Sequence, residues 1–413
     1  MKDSQPWTSP AGADPEVDNF SSFIVPILFL TNIFFLNCIS RIVFAPLLLR
    51  IQEEMALAYV EAASLFLFVS MGFSISILGS GFISKRLQHR KTIVLSATAV
   101  GISLLGIAFC NSIWSIRGGL LLLGMASGIY LSSGLSSLTA MVSVKHWGKA
   151  IAIHELAPNL GFFAAPLLAE SLMIWFSWRG VLIFLGVWSI LAGVLFSLFG
   201  KGGDFPGEAP NILSLKTLCS KKSFWIIMVL FSLAVGANLG IYTMLPLFLV
   251  AQHGLEQNWA NTLVALSRIS CLFMVFLAGW TTDRVGHRFT ISGVLLIAGL
   301  TTVLLGVLSG SWLVAMMFLQ PAVAVCFFPP GIAALSAIGP PKARNVAISF
   351  TLPVALLVGG GAIPVWIGMM SDAGFFSLGV SVTGGIILSG AILAIFLTPG
   401  DLKPVKEAVE RDL

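Results

Sequence analysis

Charge is what this chain lacks most. Of its 413 residues only 10% are Asp, Glu, Lys or Arg, against roughly 25% in a soluble domain. So few charges cannot cover a water-facing surface of this size. That excludes an ordinary cytosolic enzyme, a disordered segment and a nucleic-acid binder. Cysteine is scarce as well: Cys38, Cys110, Cys219, Cys271 and Cys326 form no C-x-x-C pair. Four of them lie in apolar runs and read as packing residues, which argues against a disulfide framework or a metal centre. The five histidines have no ligand spacing. There is no phosphate-binding loop, nucleophile elbow or metal signature. Enzyme chemistry, a cofactor and ATP-driven transport by this chain alone are therefore not expected. Residues 1–20 lack the basic stretch and short apolar core of a signal peptide and read as a cytoplasmic arm.

What the chain has in abundance is apolar sequence, 57% of all residues, with a mean hydropathy of +0.96. A helix needs about 20 apolar residues to cross a bilayer, and twelve stretches qualify. The first six are Phe23–Leu49, Leu57–Ile83, Thr92–Cys110, Ile113–Val142, Ala150–Phe176 and Val181–Phe199. The second six are Phe224–Val250, Trp259–Thr281, Phe289–Leu308, Trp312–Ile338, Val346–Met370 and Ser377–Leu397. Lipid offers backbone no hydrogen bonds, so these runs must be helices. The expected fold is an all-α integral membrane protein with two six-helix bundles, residues 21–200 and 223–398. Residues 201–222 form the longest polar interruption, rich in Gly and Pro, and read as a cytoplasmic linker. Within it Ile212, Leu215 and Leu218, with Lys216, Lys221 and Lys222 nearby, fit either a short helix on an anionic membrane surface or a solvated connection.

Orientation follows from Lys and Arg. With the N-terminus inside, only Arg50, Arg117 and Arg179 fall at the outer side, and Arg41 and Arg268 fall inside helices one and eight. Every other basic residue is then cytoplasmic, as are both tails, the second being residues 399–413. The positive net charge of +5 thus serves topology in a plasma or inner membrane, not nucleic-acid binding.

Two segments repeat. Gly81-Phe-Ile-Ser-Lys85-Arg86-Leu-Gln88-His89-Arg90 follows helix two, and Gly279-Trp-Thr-Thr-Asp283-Arg284-Val-Gly286-His287-Arg288 follows helix eight. The same offset relates Gly161 to Gly359 and Pro166 to Pro364. The halves are parallel repeats about an axis along the membrane normal. The second segment resembles motif A of the major facilitator superfamily at every defining position, and with twelve helices and a central linker the resemblance covers residues 21–398. It implies a secondary transporter whose halves are latched on the cytoplasmic side by Gly279, Asp283, Arg284, Gly286 and Arg288, with Gly81, Arg86 and Arg90 in the first copy. Lys85 and Gln88 replace that copy's Asp and Gly. Asp283 is expected to latch against the start of helix five, near Lys149; the alternative is that both loops only set topology. Arg117 with Gly124 and Gly128 resembles motif B, and Gly161 with Ala165-Pro166 is a fragment of the exporter motif C. Gly124/Gly128 and Gly236/Gly240 also fit simple close helix packing.

A charge near the bilayer centre costs about 2.5–3.5 kcal/mol on insertion scales, so the intramembrane arginines mark the candidate site. Arg268 sits about 14 Å from the outer end of helix eight, at 1.5 Å per residue. Its planar fork matches two oxygens of an anion, and the surrounding Leu266-Ser-Arg268-Ile269-Ser270 is similar to that of anion-transporting members of the superfamily. The alternative is a structural arginine tied to backbone carbonyls. Arg41 lies in the outer half of helix one with Asn37 one turn before it, and either contacts substrate or snorkels outward. Asn238 and Tyr242 on helix seven, Tyr130 on helix four and Gln320 on helix ten are candidate wall residues, or interhelical glue. Proton coupling needs a titratable group. Glu155 is the carboxylate read as lying within a helix, either buried and titratable near neutrality or in a hydrated cytoplasmic vestibule; His154 precedes it and, 100° around the helix, need not pair with it. The expected function is secondary transport of a small organic anion, a mono- or dicarboxylate, by alternating access. Proton symport or anion exchange would drive it, and a monomer in the lipid bilayer would suffice. Two alternatives are a proton-coupled exporter of drugs or other amphiphiles, and a non-transporting receptor or assembly subunit on the same scaffold.

Overall fold

The computed structural model describes residues 20–207, 218–338 and 344–397. The amphipathic part of the linker and both tails lie outside the described residues. Eleven helices are long and apolar enough to cross a membrane. One of them, Tyr59–Ala108, has 50 residues. At 1.5 Å per residue it would be about 75 Å long, more than twice the hydrocarbon thickness of about 30 Å. It turns back at Gln88, where φ is 68° and ψ 159°, and so supplies two crossings. The twelve are α1 (Ser21–Met55), α2 (59–87), α3 (89–108), α4 (Ile113–Met141), α5 (Trp147–Met173), α6 (Trp178–Phe199), α7 (Lys222–His253), α8 (Gln257–Val285), α9 (His287–Val307), α10 (Gly310–Ala337), α11 (Val346–Asp372) and α12 (Phe376–Ala394). Among the described residues there is no strand. The expected all-helical fold is thus observed, with boundaries a few residues from those expected.

The polar stretch after α2 was expected to be a loop. It is a helical turn broken at one residue. Gly286, at the matching position of the second repeat, has φ 90° and ψ 157°, so both repeats fold the chain back through the same backbone shape. That region suits glycine and costs other residues about 1–3 kcal/mol. The residues after the α6 helix hold the first turn in place. The His89 and Arg90 amides donate to Phe205 O (3.1 Å) and Gly203 O (2.8 Å), and the Gly207 amide donates to Ser84 O (3.1 Å). The ring of Phe205 packs on that of His89 at 4.8 Å. Gln88→Gly is therefore expected to stabilise the protein by about 1–2 kcal/mol, read as a higher unfolding temperature in detergent. Gly286→Gln should lower it comparably, and equal melting of all three proteins would refute the reading.

The helices divide into regular and interrupted ones. Uninterrupted α6, α9 and α12 form the periphery with α3. α2 is also continuous from 59 to 87, whereas α1 breaks at Val43, α4 at Ile129, α5 at Glu155 and α8 at Arg268. Two more, α7 and α11, widen into π-turns at Gly236–Gly240 and Leu356–Ala362, and α10 tightens to a 3₁₀ turn at Val325–Phe327. Proline explains two of these. Pro46 and Pro158 carry no N–H for the carbonyls four residues earlier, Ile42 and His154. Irregular backbone at membrane depth survives only where protein or a cavity, not lipid, surrounds it. The breaks therefore outline the space between the two sets of six helices.

Glycines set the closest approaches. A Cβ on Gly124 of α4 would stand 2.2 Å from Val69 O of α2, and one on Gly359 of α11 would stand 2.5 Å from Gly236 N of α7. Gly124 and Gly236 thus act as packing residues.

Candidate functional site

Call the end carrying the α2–α3 and α8–α9 turns the basic end, and the other the far end. The far end is sealed across the two halves. The Asn261 side chain of α8 donates to Pro46 O of α1 (3.3 Å) and to the Glu170 carboxylate of α5. Gln257 of α8 also donates to Pro46 O, at 3.4 Å. On the other side of the molecule the Asp372 carboxylate, at the end of α11, accepts the backbone N–H groups of Tyr59 (2.7 Å) and Val60 (2.9 Å) at the start of α2. Toward the basic end the halves stay together chiefly through α2 against α11, where Ser74 donates to Pro353 O at 2.8 Å.

Arg268 sits at the inner edge of the far-end seal and is 5% exposed. It marks the break in α8: its own N–H donates three residues back to Ala265 O (3.0 Å), and its carbonyl accepts from Cys271 three residues on (3.2 Å). Such tightened turns in mid-helix often mark hinges. The guanidinium lies beside the Cys271 thiol and donates to two oxygens of Asn238 of α7. One terminal nitrogen donates to Oδ1 at 2.7 Å, the other to the backbone O at 3.2 Å. Two rings flank it, Tyr242 of α7 at 4.6 Å and Phe162 of α5 at 4.9 Å. Those rings meet edge to face at 4.9 Å, and the Tyr242 hydroxyl donates to Phe162 O across the halves (3.2 Å). Arg268 Nε is buried without a partner, and among the described residues no carboxylate lies within ion-pairing distance of this arginine. A buried guanidinium in this setting carries an uncompensated charge, which is costly and usually functional.

Arg41 lies beside the kink of α1 and points between the halves. Its guanidinium stacks at 4.0 Å over Phe73 of α2, donates to Asn37 O (3.4 Å) and approaches the Cys38 sulfur (3.9 Å). It lines a cavity of about 30 Å3 together with Ser70, Leu239, Thr243 and Gly360, enough for one water molecule. Residues 238 and 242 of α7 thus face Arg268, and residues 239 and 243 face the Arg41 cavity. The larger cavity, about 810 Å3, is elsewhere: it opens at the far end and is lined by Arg50, Glu53, Glu54 and Glu170 among others.

Among the remaining candidates, Tyr130 and Gln320 make the interhelical bonds that were the alternative to a place in the wall. Asn37 lies one regular helical turn before Arg41. Its side chain turns into the first bundle, donating to Ser96 Oγ (3.3 Å) and Ser127 O (3.2 Å). Tyr130 is fully buried; its hydroxyl donates to Leu30 O (2.9 Å) and lies 3.0 Å from His154 Nε2, with Phe34 stacked on the imidazole at 4.4 Å. Gln320 donates to Ala237 O of α7 (2.8 Å) and to Thr302 Oγ1 of α9 (3.2 Å), so it braces helices. His154 and Glu155 do approach, Nδ1 to Oε1 at 3.7 Å, because the helix breaks between them and the 100° separation no longer holds. The Glu155 side chain is 54% exposed, in keeping with the hydrated alternative. Glu155 is also not the one carboxylate inside a helix: Glu170 of α5 is missed by the sequence reading, as is Asp372. Asp283 is exposed, with no ion pair among the described residues, and Lys149 lies 5.8 Å over the Phe20 ring instead. The contact expected between Asp283 and the start of α5 is thus not among the ion pairs of the described residues. In the first copy, Arg90 holds the strap, donating to Ser197 O (3.2 Å) and reaching Asp204 at 3.5 Å.

Comparison with known proteins places this architecture. Among solved structures, a bacterial homolog of the human lysosomal transporter Spinster, inward-facing and occupied, aligns with a TM-score of 0.80 at 17% identity, covering 95% of this chain and 100% of that one. The nucleoside transporter NupG aligns at 0.74 with 15% identity, covering 90% and 99%. These likenesses concern the fold. Among curated sequences, a protein TsgA homolog of Buchnera aphidicola is 24% identical over 131 residues, 31% of this chain and 34% of its own length. A multi-drug resistance efflux pump PmrA homolog of Lactococcus lactis is 26% identical over 171 residues, 40% and 42%. The matches thus span less than half of these relatives. The family model of the Major Facilitator Superfamily matches residues 30–274, more than half of the chain, and the chain belongs to that family of membrane transporters.

Proposed function

From membership in this superfamily, we propose that the solute carried is a small organic anion, a mono- or dicarboxylate. The observation that carries the reading is Arg268: a guanidinium buried between the halves with no carboxylate paired to it among the described residues. Its planar fork suits two carboxylate oxygens. Arg41, also facing the space between the halves, adds a second positive charge, and two such charges would repel a cation. The basic end is the cytoplasmic one, because Lys and Arg concentrate there, so the state described is inward-facing in a plasma membrane. The transporter works as a monomer, each copy holding a complete site between its halves. The test is counterflow of labelled carboxylates in proteoliposomes beside a panel of organic cations. Uptake of cations but of no carboxylate sinks the reading. It would favour the second one, a proton-driven exporter of amphiphiles, which has the sequence match to the Lactococcus efflux pump homolog on its side.

Coupling to protons belongs to the pair Glu155 and His154. They sit at the break of α5, the carboxylate exposed and the imidazole buried against Tyr130. A carboxylate in water beside a buried imidazole is placed to pass a proton inward. Glu155→Gln is expected to abolish accumulation driven by a pH gradient while leaving counterflow within about twofold, since exchange needs no net proton movement. Accumulation at the wild-type level would remove Glu155 from the coupling path.

A further inference from the structure

The partners of Arg268 have a consequence that concerns α7. Asn238 offers the guanidinium two oxygens, Oδ1 at 2.7 Å and its own backbone O at 3.2 Å, one to each terminal nitrogen. Two oxygens on the two prongs of one fork is how a carboxylate binds arginine. Asn238 lies inside the π-turn Gly236–Gly240. A wide turn departs from the regular backbone ladder and gives side-chain donors access to its carbonyls. Here two consecutive carbonyls are taken in this way: Ala237 O by Gln320 of α10 (2.8 Å) and Asn238 O by Arg268 of α8. Both donor side chains are buried, Gln320 at 2% exposed, so neither carbonyl has water as a substitute partner. One turn further on, Tyr242 closes on Phe162 and seals the halves.

We propose that Asn238 is a built-in stand-in for the substrate carboxylate, and that its displacement releases the π-turn of α7. This rests on the anion reading above. Asn238 satisfies the Arg268 fork, and Arg268 and Gln320 together hold the wide turn. An arriving carboxylate takes the fork with its own two oxygens. Asn238 O loses its donor, the turn keeps one prop of two, and α7 rewinds toward regular α-helix. Rewinding by one residue rotates everything beyond it, including Tyr242, away from Phe162. Gln320 is a positioning residue in this scheme: it touches α7 and never the substrate.

The role of Asn238 gives an affinity change of opposite sign to that of an ordinary binding residue. The experiment uses the full chain in lipid nanodiscs, with succinate and acetate as probes by titration calorimetry and hydrogen exchange of residues 236–245 by mass spectrometry. Asn238→Ala is expected to bind the carboxylate about tenfold tighter, because the competitor is gone. Gln320→Leu, without any anion, should raise exchange in 236–245 at least tenfold and, because a loosened turn favours the bound state, tighten carboxylate binding and not weaken it. Weaker carboxylate binding by Asn238→Ala overturns the proposal by making Asn238 an ordinary ligand. Unchanged exchange in Gln320→Leu overturns the propped turn. If neither probe binds wild type or Asn238→Ala, displacement by carboxylate is refuted along with the anion reading. The exchange measurement then still decides, by itself, whether Arg268 and Gln320 hold the turn.

Discussion

Arg268→Ala is expected to slow carboxylate counterflow about 100-fold while the protein still folds. Each hydrogen bond to a charged partner contributes about 1.5–3 kcal/mol, and a guanidinium–carboxylate pair makes two. Part of that is recovered because the empty site already spends both prongs on Asn238. A net loss of about 3 kcal/mol remains, and 1.4 kcal/mol is a factor of ten. Folding should survive, since the substitution deletes a buried and unpaired charge, although it leaves the Asn238 oxygens without donors at a cost of about 1–3 kcal/mol. Arg268→Lys separates charge from shape. A lysine keeps the positive charge but is a compact, strongly hydrated point donor, so its counterflow should stay at least tenfold below wild type. Wild-type rates in the alanine variant, with normal melting, would assign Arg268 to the seal alone. The same pair at Arg41 should show smaller losses, because that guanidinium already rests on the Phe73 face and only one water fits beside it.

The burial of Arg268 inside the protein was legible in the sequence because its signal is a cost: a charge deep in a membrane helix is expensive in lipid and turns inward. The twelve crossings were legible for a similar reason, since hydrocarbon forces apolar runs into helices. The wall residues were not. Separating His154 from Glu155 assumes 100° per residue, and the helix breaks at Glu155; Asn37 stays one regular turn from Arg41, but its amide finds partners inside the first bundle, which nothing local announces. The π-turn of α7 has no motif; Gly236 and Gly240 announce a close approach, and their spacing is that of ordinary helix packing. Gln88 was read as a defect in a motif, whereas the turn keeps its glycine-like backbone and the strap of residues 203–207 holds it there. Glu170 and Asp372 were passed over for another reason. Each finds its partner on the opposite half, some 90 and 310 residues away in the chain, and nothing local marks such a contact.

Asp372→Ala is expected to open the far end, raising the population with that side parted about 5–30-fold. An acid at this position is otherwise out of place. It ends α11, where the helix dipole disfavours negative charge. What favours it is the other half: the first turn of α2 presents N–H groups with no partner of their own, and the carboxylate accepts two of them across the interface. Each such bond can be worth about 1.5–3 kcal/mol. Asp372 is exposed, and water competes for both groups, so about 1–2 kcal/mol in total is the fair expectation. Spin-label distances between the halves at the far end would measure the shift. Asp372→Asn, which keeps one acceptor oxygen, should fall between wild type and alanine. Asp283 supplies the control. It ends α8 at the basic end, exposed and without an ion pair among the described residues, and the motif it belongs to implies the same use, an acid capping a helix of the opposite half. If the two acids serve alternate states, Asp283→Ala should move the population the opposite way, toward the sealed far end seen here. Identical distance distributions in all of these variants would mean that packing along α2 and α11, and not the terminal carboxylates, decides which end is shut.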